Sequence, residues 1–289
     1  MKRLLFVFGF SFVLFLFASC SQIGGAGADF LNLPIVERDS ASVSGSEFIK
    51  QVDTIETLAR EDMIVMEILS GNIPDFLRTF REIEFERNGH RIRINVLPDY
   101  LAIGSNDDFV RMPMNPLSAQ IIADSLSCSM PTSFIVDMIA KASDGAIEPF
   151  PFRPLGWRNT YPITFEDNNN AINALFKARG YKPGDMISGL KKDVIITNKI
   201  IEDTSRLNHV TIYGWHYPDG TFIQRSNNVH VNWYVDYSHG IRLVDRRVYV
   251  DNIEYDIQKV LSDPEMFSLL SDEKECMERP TYKGDEIHR

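Results

Sequence analysis

The sequence predicts an α+β fold in which helices come first and a mainly antiparallel β-sheet follows. Apolar residues recur at helical spacing between residues 48 and 69, whereas apolar and charged residues alternate from Glu82 and again throughout the chain after Lys192. Helices and strands that are segregated along a chain are typical of α+β proteins. Because 44% of the 289 residues are hydrophobic, one sizeable core is possible, and we expect a single domain over residues 46–273.

The first nineteen residues have the pattern of a secretory signal. A short basic start precedes an apolar run from Leu4 to Ala18, and small residues follow it. At ~1.5 Å per residue this run covers roughly 22 Å, which is shorter than the ~30 Å hydrocarbon core of a bilayer. We therefore expect residues 1–19 to be a signal peptide rather than a membrane span.

The end of this signal, Phe17-Ala-Ser-Cys20, resembles a bacterial lipobox. The resemblance implies cleavage before Cys20, lipidation of its thiol, export across the inner membrane and a lipid-anchored protein in the bacterial cell envelope. Residues 20–45 begin with a stretch rich in Gly, Ala and Ser. Because such sequences are flexible, we expect residues 20–45 to be a lipidated N-terminus followed by a flexible tether. The alternative is an ordinary signal peptide that is cut nearby, with Cys20 incidental.

The net charge narrows the possible partners. The net charge of −10 and the pI near 5.1 argue against nucleic acid as a partner, because an acidic surface repels phosphate backbones. Beyond Cys20 the chain has two cysteines, Cys128 and Cys276. An oxidising envelope permits a disulfide between them, and otherwise each is a free thiol.

Helical patterns account for most of the first part of the domain. The segment Ser44-Gly-Ser-Glu47 has capping-box spacing and opens a helical run that ends near Leu69, before Gly71. Further helices are predicted over residues 118–126, 133–142 and 169–179.

The strongest strand signal is an alternating pattern on both sides of Asn88-Gly89, which predicts a β-hairpin over residues 82–96. The other strands are predicted after Lys192. These strand candidates are residues 193–197, 209–215, 221–224, 229–237, 241–244 and 247–250. Short helices are expected over residues 257–261 and 265–270, and residues 274–289 read as a polar tail.

Four short segments carry a resemblance to a hydrolase family. They are Leu126-Ser-Cys128-Ser129, Lys182-Pro-Gly-Asp185, His209-Val-Thr-Ile-Tyr213 and Asp219-Gly-Thr-Phe-Ile-Gln224. Together they resemble papain-like cell-wall peptidases of the NlpC type. The resemblance implies a papain-like fold with Cys128 as nucleophile, His209 as base and Gln224 as the residue that orients the imidazole. A helix start stabilises a thiolate, and a histidine takes its proton. The alternative for Cys128 is a buried structural thiol or a disulfide partner.

A second group of residues competes for the role of base. The stretch from His230 to His239 contains two histidines, Asp236 and a serine within ten residues. In a strand, His230, Asp236 and the polar residues between them share one face, which would line a cleft. His239 is then the alternative base, with Asp236 as its partner, and the remaining alternative is a solvated sheet face.

Metal and serine chemistry have weaker signals. Ligands could come from His209, His216, His230, His239 and Asp236, but no spacing matches a known metal motif. Ser129, Ser226 and Ser238 lack the G-x-S-x-G context of many serine hydrolases. We therefore predict neither a metal nor another cofactor.

Two functions remain. The first is an extracytoplasmic papain-like cysteine hydrolase that acts on cell-wall peptide or on related amide or ester bonds. The second is a non-enzymatic envelope lipoprotein that binds a glycan or another envelope component, with Trp157, Trp215 and Trp233 as a stacking surface for sugars. In both, the partners are the membrane, through the lipid anchor, and peptidoglycan or another glycan.

Overall fold

A computed structural model describes residues 31–152, 155–206 and 208–283. The predictions for the signal peptide and for Cys20 therefore lie outside the described residues. Within them the chain combines helices with mostly antiparallel sheets, which confirms the α+β class. Among the described residues no helix is both long enough and apolar enough to span a bilayer.

The described residues form seven α-helices and three short 3₁₀ helices. The α-helices are α1 (Gly45–Val52), α2 (Thr57–Leu69), α3 (Pro116–Ser125), α4 (Ser133–Ala142), α5 (Pro162–Arg179), α6 (Lys199–Glu202) and α7 (Ile257–Ser262). The 3₁₀ helices are Asp75–Leu77, Gly156–Thr160 and Phe267–Leu269.

The strands are short, and the longest two form the predicted hairpin. They are β1 (Arg81–Arg87), β2 (His90–Val96), β3 (Ala102–Gly104), β4 (Phe109–Arg111), β5 (Cys128–Ser129), β6 (Gly145–Ala146), β7 (Ile187–Ser188), β8 (Lys192–Val194), β9 (Ile212–His216), β10 (Phe222–Asn227), β11 (His239–Gly240), β12 (Val244–Asp245), β13 (Arg247–Val250) and β14 (Ile253–Asp256).

The larger sheet is built around this hairpin. Its order is β14-β13-β2-β12-β5, and β1 also pairs with β2. In the hairpin, Arg87 pairs with His90 and the register continues to Arg81 opposite Val96. Asn88 and Gly89 both have positive φ, 53° and 81°, as a tight two-residue hairpin turn requires. The hairpin prediction is confirmed.

A smaller sheet holds the residues of functional interest. Its order is β10-β9-β8-β11, with antiparallel pairs except for β11, which runs parallel to β8. Helix α4 packs against β9. Separately, β6 pairs in parallel with β7.

The folded domain extends beyond both predicted ends. Leu33, in the segment expected to be tether, is buried, and its N–H donates to the carbonyl of Arg78 at 2.8 Å. Met277 and Tyr282, in the segment expected to be a polar tail, are also buried. These residues are apolar or aromatic exceptions within polar stretches, so composition alone did not reveal them.

Three predicted strands differ from the structure. Of residues 241–244, only Val244 lies in a strand, β12. His209 does not head a strand, because β9 begins at Ile212, and the segment 229–237 contains only one isolated bridge, between Val231 and His209. Its backbone forms turn hydrogen bonds instead, such as Tyr234 N–H to the carbonyl of Val231. Alternating polarity in this segment therefore reflects a partly buried loop, which period-two patterns do not distinguish from a strand.

Candidate functional site

Asp137, Tyr213 and His216 form a hydrogen-bonded group. The Tyr213 hydroxyl donates to the two carboxylate oxygens of Asp137 at 3.0 and 3.2 Å, and Nε2 of His216 lies 2.8 Å from Oδ1. With the carboxylate as acceptor, Nε2 carries the proton and Nδ1 is the basic nitrogen. Burial and the neighbouring Asp137 raise the pKa of Tyr213, so its hydroxyl stays a donor. The carboxylate thus sets both the orientation and the tautomer of the imidazole.

The backbone between Tyr213 and His216 departs from a regular strand. Residues three apart point to opposite faces of a regular strand, yet both of these side chains contact Asp137. The two intervening residues have positive φ, 90° at Gly214 and 60° at Trp215. Such a conformation is uncommon for a bulky aromatic residue and costs of order 1–3 kcal/mol. Strain of this kind concentrates at functional sites, and here it accompanies the placement of the histidine beside its carboxylate.

The group opens into a cleft of about 600 Å³. This volume suits a small-molecule or peptide-end site. The lining includes five side chains besides His216 and Asp137 that carry polar groups or charge: Lys141, Ser143, Ser188, Tyr217 and Asp219. The His216 side chain is only 7% exposed and Asp137 is 32% exposed, so the pair reaches the cleft through the edge of the imidazole and the carboxylate.

Ser188 supplies one of the hydroxyl groups in the cleft. It lines the cleft together with His216, and both also line a void of about 10 Å³ behind it. The next residue, Gly189, has φ of 83°, and a Cβ there would lie 1.9 Å from the carbonyl oxygen of Ile147 and 2.8 Å from that of His216. Only glycine lets the backbone pass at this distance. The chain that carries Ser188 is thus packed directly against the backbone of His216.

A layer of buried charge lies behind the cleft. Oδ2 of Asp193 accepts from the Tyr100 hydroxyl at 3.0 Å, whereas its Oδ1 has no partner among the described residues. Burial raises the pKa of Asp193 to about 6 and lowers that of Lys191 to about 7. Asp193 also lines the 10 Å³ void with His216, and this void is about the size of one water molecule. Groups that titrate near neutrality therefore adjoin the histidine of the cleft.

A second polar cluster, which we call the histidine cluster, consists of Lys192, His230, Tyr234, Asp236 and His239. Lys192 is the first residue of β8, between Lys191 and Asp193 of the buried charged layer. It pairs with His239 on β11. The His230 ring stacks on Tyr234, with centroids 4.4 Å apart, and lies 6.2 Å from the His239 ring. The structure therefore brings together the alternative site residues that the sequence predicted, His230, Asp236 and His239, and adds Lys192.

His239 is the most unusual member of the histidine cluster. Its side chain is 1% exposed, and neither ring nitrogen has a hydrogen-bond partner in the described parts of the chain. Burial lowers its pKa to about 4, against the opposing effect of Asp236. Nδ1 of His209 is likewise buried without a partner, and His209 is close enough to His230 to lower its pKa. His209 and His239 therefore both have buried ring nitrogens whose hydrogen-bonding capacity no described residue uses.

Cys128 does not occupy the helix start that the resemblance implied. It lies in β5 opposite Asp245, and α4 begins only at Ser133, because Met130-Pro131-Thr132 continue the extended chain to the cap at Thr132. The side chain is fully buried, and Sγ donates to the carbonyl of Leu126 at 3.3 Å. Burial, reinforced by Asp245, raises the pKa of the thiol. A nucleophilic cysteine needs the opposite environment, so the geometry does not support Cys128 in that role.

The other members of the implied cysteine site are not assembled around Cys128. Gln224 lies in β10, where its Nε2 donates to the carbonyl of Arg225 at 2.8 Å. No hydrogen bond among the described residues joins Cys128, His209 and Gln224 to one another. Both Cys128 and Cys276 are free thiols.

The sequence did not reveal Asp137 or Ser188, and it suggested His216 only as a metal ligand. Asp137 lies within α4, and a carboxylate in a helix is usually interpreted as a solvent-exposed residue. The positive φ of Trp215, just before His216, could not be predicted, because aromatic residues rarely adopt it. The one usable signal is the turn Tyr217-Pro-Asp-Gly220, which marks His216 as a strand end. In the described residues no set of three or more His, Cys, Asp or Glu side chains is arranged to hold a metal ion.

The functional proposal rests on the geometry of this site, because comparison with known proteins found no match. No protein-family model matches the chain, and no curated protein or solved structure is significantly similar to it.

Proposed function

We propose that the chain is a hydrolase of amide or ester bonds in which His216, held by Asp137, acts as the general base. The observation that carries the proposal is the 2.8 Å contact between Nε2 of His216 and Asp137 in a cleft that Ser188 also lines. A histidine oriented by a carboxylate and placed beside a hydroxyl activates nucleophiles in hydrolases of unrelated folds. His216 thus takes the role that the sequence assigned to His209.

The chemistry follows from the two ring nitrogens of His216. Nδ1 takes a proton from the Ser188 hydroxyl or from a water molecule as that oxygen attacks the substrate carbonyl carbon. The imidazolium that forms is stabilised by Asp137, and it returns the proton to the leaving amine or alkoxide when the carbon–nitrogen or carbon–oxygen bond breaks. Tyr213 holds Asp137 through its hydroxyl. No further reactant is needed besides water.

Substitution of the pair tests the proposal. His216→Gln and Asp137→Asn should lower kcat/KM on cell-wall peptides or simple esters by about 10²–10⁴-fold, the usual contribution of general acid–base catalysis. A matched control is His90→Gln, since His90 and Asp251 form an exposed pair of similar length, 2.7 Å, on the hairpin. Wild-type turnover by His216→Gln, or an equal loss in the His90 variant, would contradict the assignment.

Ser188→Ala decides between the two nucleophiles. If Ser188 attacks directly, the variant loses turnover, and wild-type enzyme shows a burst of product as an acyl-enzyme accumulates. If water attacks, the variant keeps most of its turnover and no burst appears. Either result leaves His216 as the base, and the mass of a trapped acyl-enzyme identifies the residue that carries it.

The cellular place of the enzyme is part of the same proposal. The lipobox resemblance at Phe17-Ala-Ser-Cys20 supports an anchor in the cell envelope, which makes cell-wall peptide a reasonable substrate class. Cys20→Ala should move the protein out of the membrane fraction, because acyl chains contribute ~0.8 kcal/mol per buried methylene. Unchanged fractionation together with an unchanged mass of the mature protein would contradict the anchor.

One observation favours a glycan-binding function as the second candidate. Trp157 and Trp233 are 71% and 55% exposed, although large aromatic side chains are usually buried. Exposed indoles stack on sugar rings. Trp215, the third sequence candidate, is instead buried and donates from Nε1 to the carbonyl of Gly189 at 2.9 Å. Saturable binding of glycan that is lost in Trp157→Ala or Trp233→Ala, with no product formed by the wild type, would favour this function over hydrolysis.

A further inference from the structure

We propose that Lys192, His230 and His239 of the histidine cluster bind an oxyanion, either a carboxylate or a phosphate group, at a site separate from the cleft. Lys192 and Asp193 are consecutive in β8, so their side chains leave opposite faces of the sheet. Asp193 adjoins the void behind His216, and Lys192 faces the histidines. The inference does not depend on the hydrolase proposal.

Lys192 provides a positive charge that nothing in the described chain neutralises by direct contact. Its ammonium group makes no hydrogen bond among the described residues, and the Trp215 ring lies 5.5 Å from Nζ. The side chain is half-buried, and burial lowers the pKa of Lys192. Nζ of Lys192 is not among the buried atoms that lack a partner, so its three N–H donors still reach solvent and can meet an entering anion.

His239 provides a second unused donor beside Lys192. The two residues pair across β11 and β8, and neighbouring strands are about 4.8 Å apart. A neutral imidazole carries one N–H, but neither nitrogen of His239 has a partner in the described structure. A buried donor left unpaired costs about 1–3 kcal/mol, so its retention points to a ligand that satisfies it.

His230 links the buried part of the histidine cluster to solvent. Its ring is half-buried, lies 6.2 Å from the ring of His239 and is held in place by stacking on Tyr234. A small anion that enters beside His230 would meet donors from both imidazoles and from Lys192. His230 is therefore the member of the histidine cluster beside which an anion would enter to reach the buried His239.

Asp236 does not occupy the place of the anion. Its Oδ1 accepts from the N–H and hydroxyl of Ser238 at 2.7 and 2.5 Å, and its Oδ2 lies 3.5 Å from the Tyr234 hydroxyl. The carboxylate is thus held by its own turn, and its charge acts without direct contact on Lys192, His230 and His239. A bound oxyanion adds negative charge, so it raises the pKa of the two imidazoles and is accompanied by proton uptake.

This linkage makes the affinity depend on pH. Without ligand the pKa of His239 is about 4 and that of His230 is below its ordinary value, both mainly because of burial. Because the bound anion raises these pKa values, affinity should increase as the pH falls below neutrality. The titratable groups that act on the two histidines are Asp236, Lys191, Lys192 and His209.

The test is a titration of the full-length, ¹⁵N-labelled protein with inorganic phosphate and, separately, with acetate, at neutral pH and about one unit lower. Saturable shifts of the ring nitrogens of His230 and His239, with several-fold tighter binding at the lower pH, are expected for the preferred anion. Tighter binding of phosphate identifies a phosphate site, and tighter binding of acetate identifies a carboxylate site. The absence of saturable shifts with both anions would overturn the proposal.

Variants separate this site from general electrostatic attraction. Lys192→Met should weaken binding at least tenfold, whereas Lys192→Arg should restore much of it, and Lys259→Met, which removes an exposed lysine on α7, should bind as the wild type does. His216→Gln should also bind normally, because it changes only the cleft. Wild-type affinity in Lys192→Met, with its fold checked by circular dichroism, would contradict the site.

Discussion

The two principal sheets differ in what they bury. The larger sheet buries aliphatic side chains such as Ile92, Ile94 and Val244, and its cysteine is a hydrogen-bonded thiol. The smaller sheet buries Asp193 and His239, both with polar atoms that lack partners among the described residues. Buried unpaired polar atoms reduce stability, so they persist mainly where a function needs them. On this comparison we assign the larger sheet a structural role and place both proposed sites at the smaller sheet.

The largest expected effect tests how tightly the smaller sheet is packed behind the cleft. Gly189→Ala should destabilise the fold by more than about 3 kcal/mol, because the new Cβ would meet two carbonyl oxygens and φ is positive. The matched control is Gly220→Ala, which has nearly the same φ, 84°, but no atom within 4 Å of the new Cβ. It should lose only about 1 kcal/mol. Denaturant unfolding of both variants measures the difference, and equal losses would show that close packing at Gly189 is unimportant.

The next effect concerns the buried carboxylate of the smaller sheet. The pKa of Asp193 rises from 3.8 to about 6 on burial, so its contribution to stability is fully present below about pH 4 and is lost as the pH rises through 6. A shift of about two units corresponds to ~3 kcal/mol. Relative to wild type, Asp193→Asn should therefore gain about that much stability between pH 4 and pH 8. A difference between the two proteins that stays constant across this range would contradict the role of ionisation.

A smaller effect is expected in the larger sheet. Cys128→Ala should cost about 1 kcal/mol through lost packing and should leave turnover unchanged, since the thiol is fully buried. Iodoacetamide should modify Cys128 only slowly in the folded protein, because burial keeps it protonated. Rapid labelling near neutral pH, or loss of turnover in the alanine variant, would restore the cysteine mechanism and break the comparison between the sheets.

The smallest expected effect tests whether the proposed active site includes a residue of β10. Gln224→Ala removes only a hydrogen bond to the neighbouring backbone carbonyl of Arg225. Stability should change by no more than about 0.5 kcal/mol, and kcat/KM should stay near the wild-type value. A large loss of activity would show that the chemistry extends across the sheet from β9 to β10.

The hairpin shows what the sequence alone could predict. Alternating residues around Asn88-Gly89 specify register locally, since the turn and the buried face agree, and the structure has that register. The α+β class followed from similar local patterns. These features depend on interactions between residues that are close along the chain, so one sequence suffices.

The candidate site could not be predicted in the same way. Asp137 and His216 are 79 residues apart and meet only because α4 packs against β9. The strained backbone at Trp215 runs against its own conformational preference, and no pattern announces it. The prediction that Cys128 lies at a helix start has a related difficulty. The sequence places Cys128 shortly before a helix, but α4 begins only at Ser133, after Pro131 and the cap at Thr132.

Tyr282 gives the chain a late step in its folding. Its hydroxyl donates to the carbonyl of Ile195 at 2.8 Å and accepts from the N–H of Thr211 at 3.1 Å, and its own N–H donates to Gln120 at 3.1 Å. A residue near the carboxyl end therefore joins segments from the middle of the chain. During synthesis the amino-terminal part emerges first, so the contact with Thr211 can form only after 71 further residues have been made. Until then the segments beside β8 and β9 lack these contacts, so the smaller sheet reaches its full stability only after Tyr282 has been made.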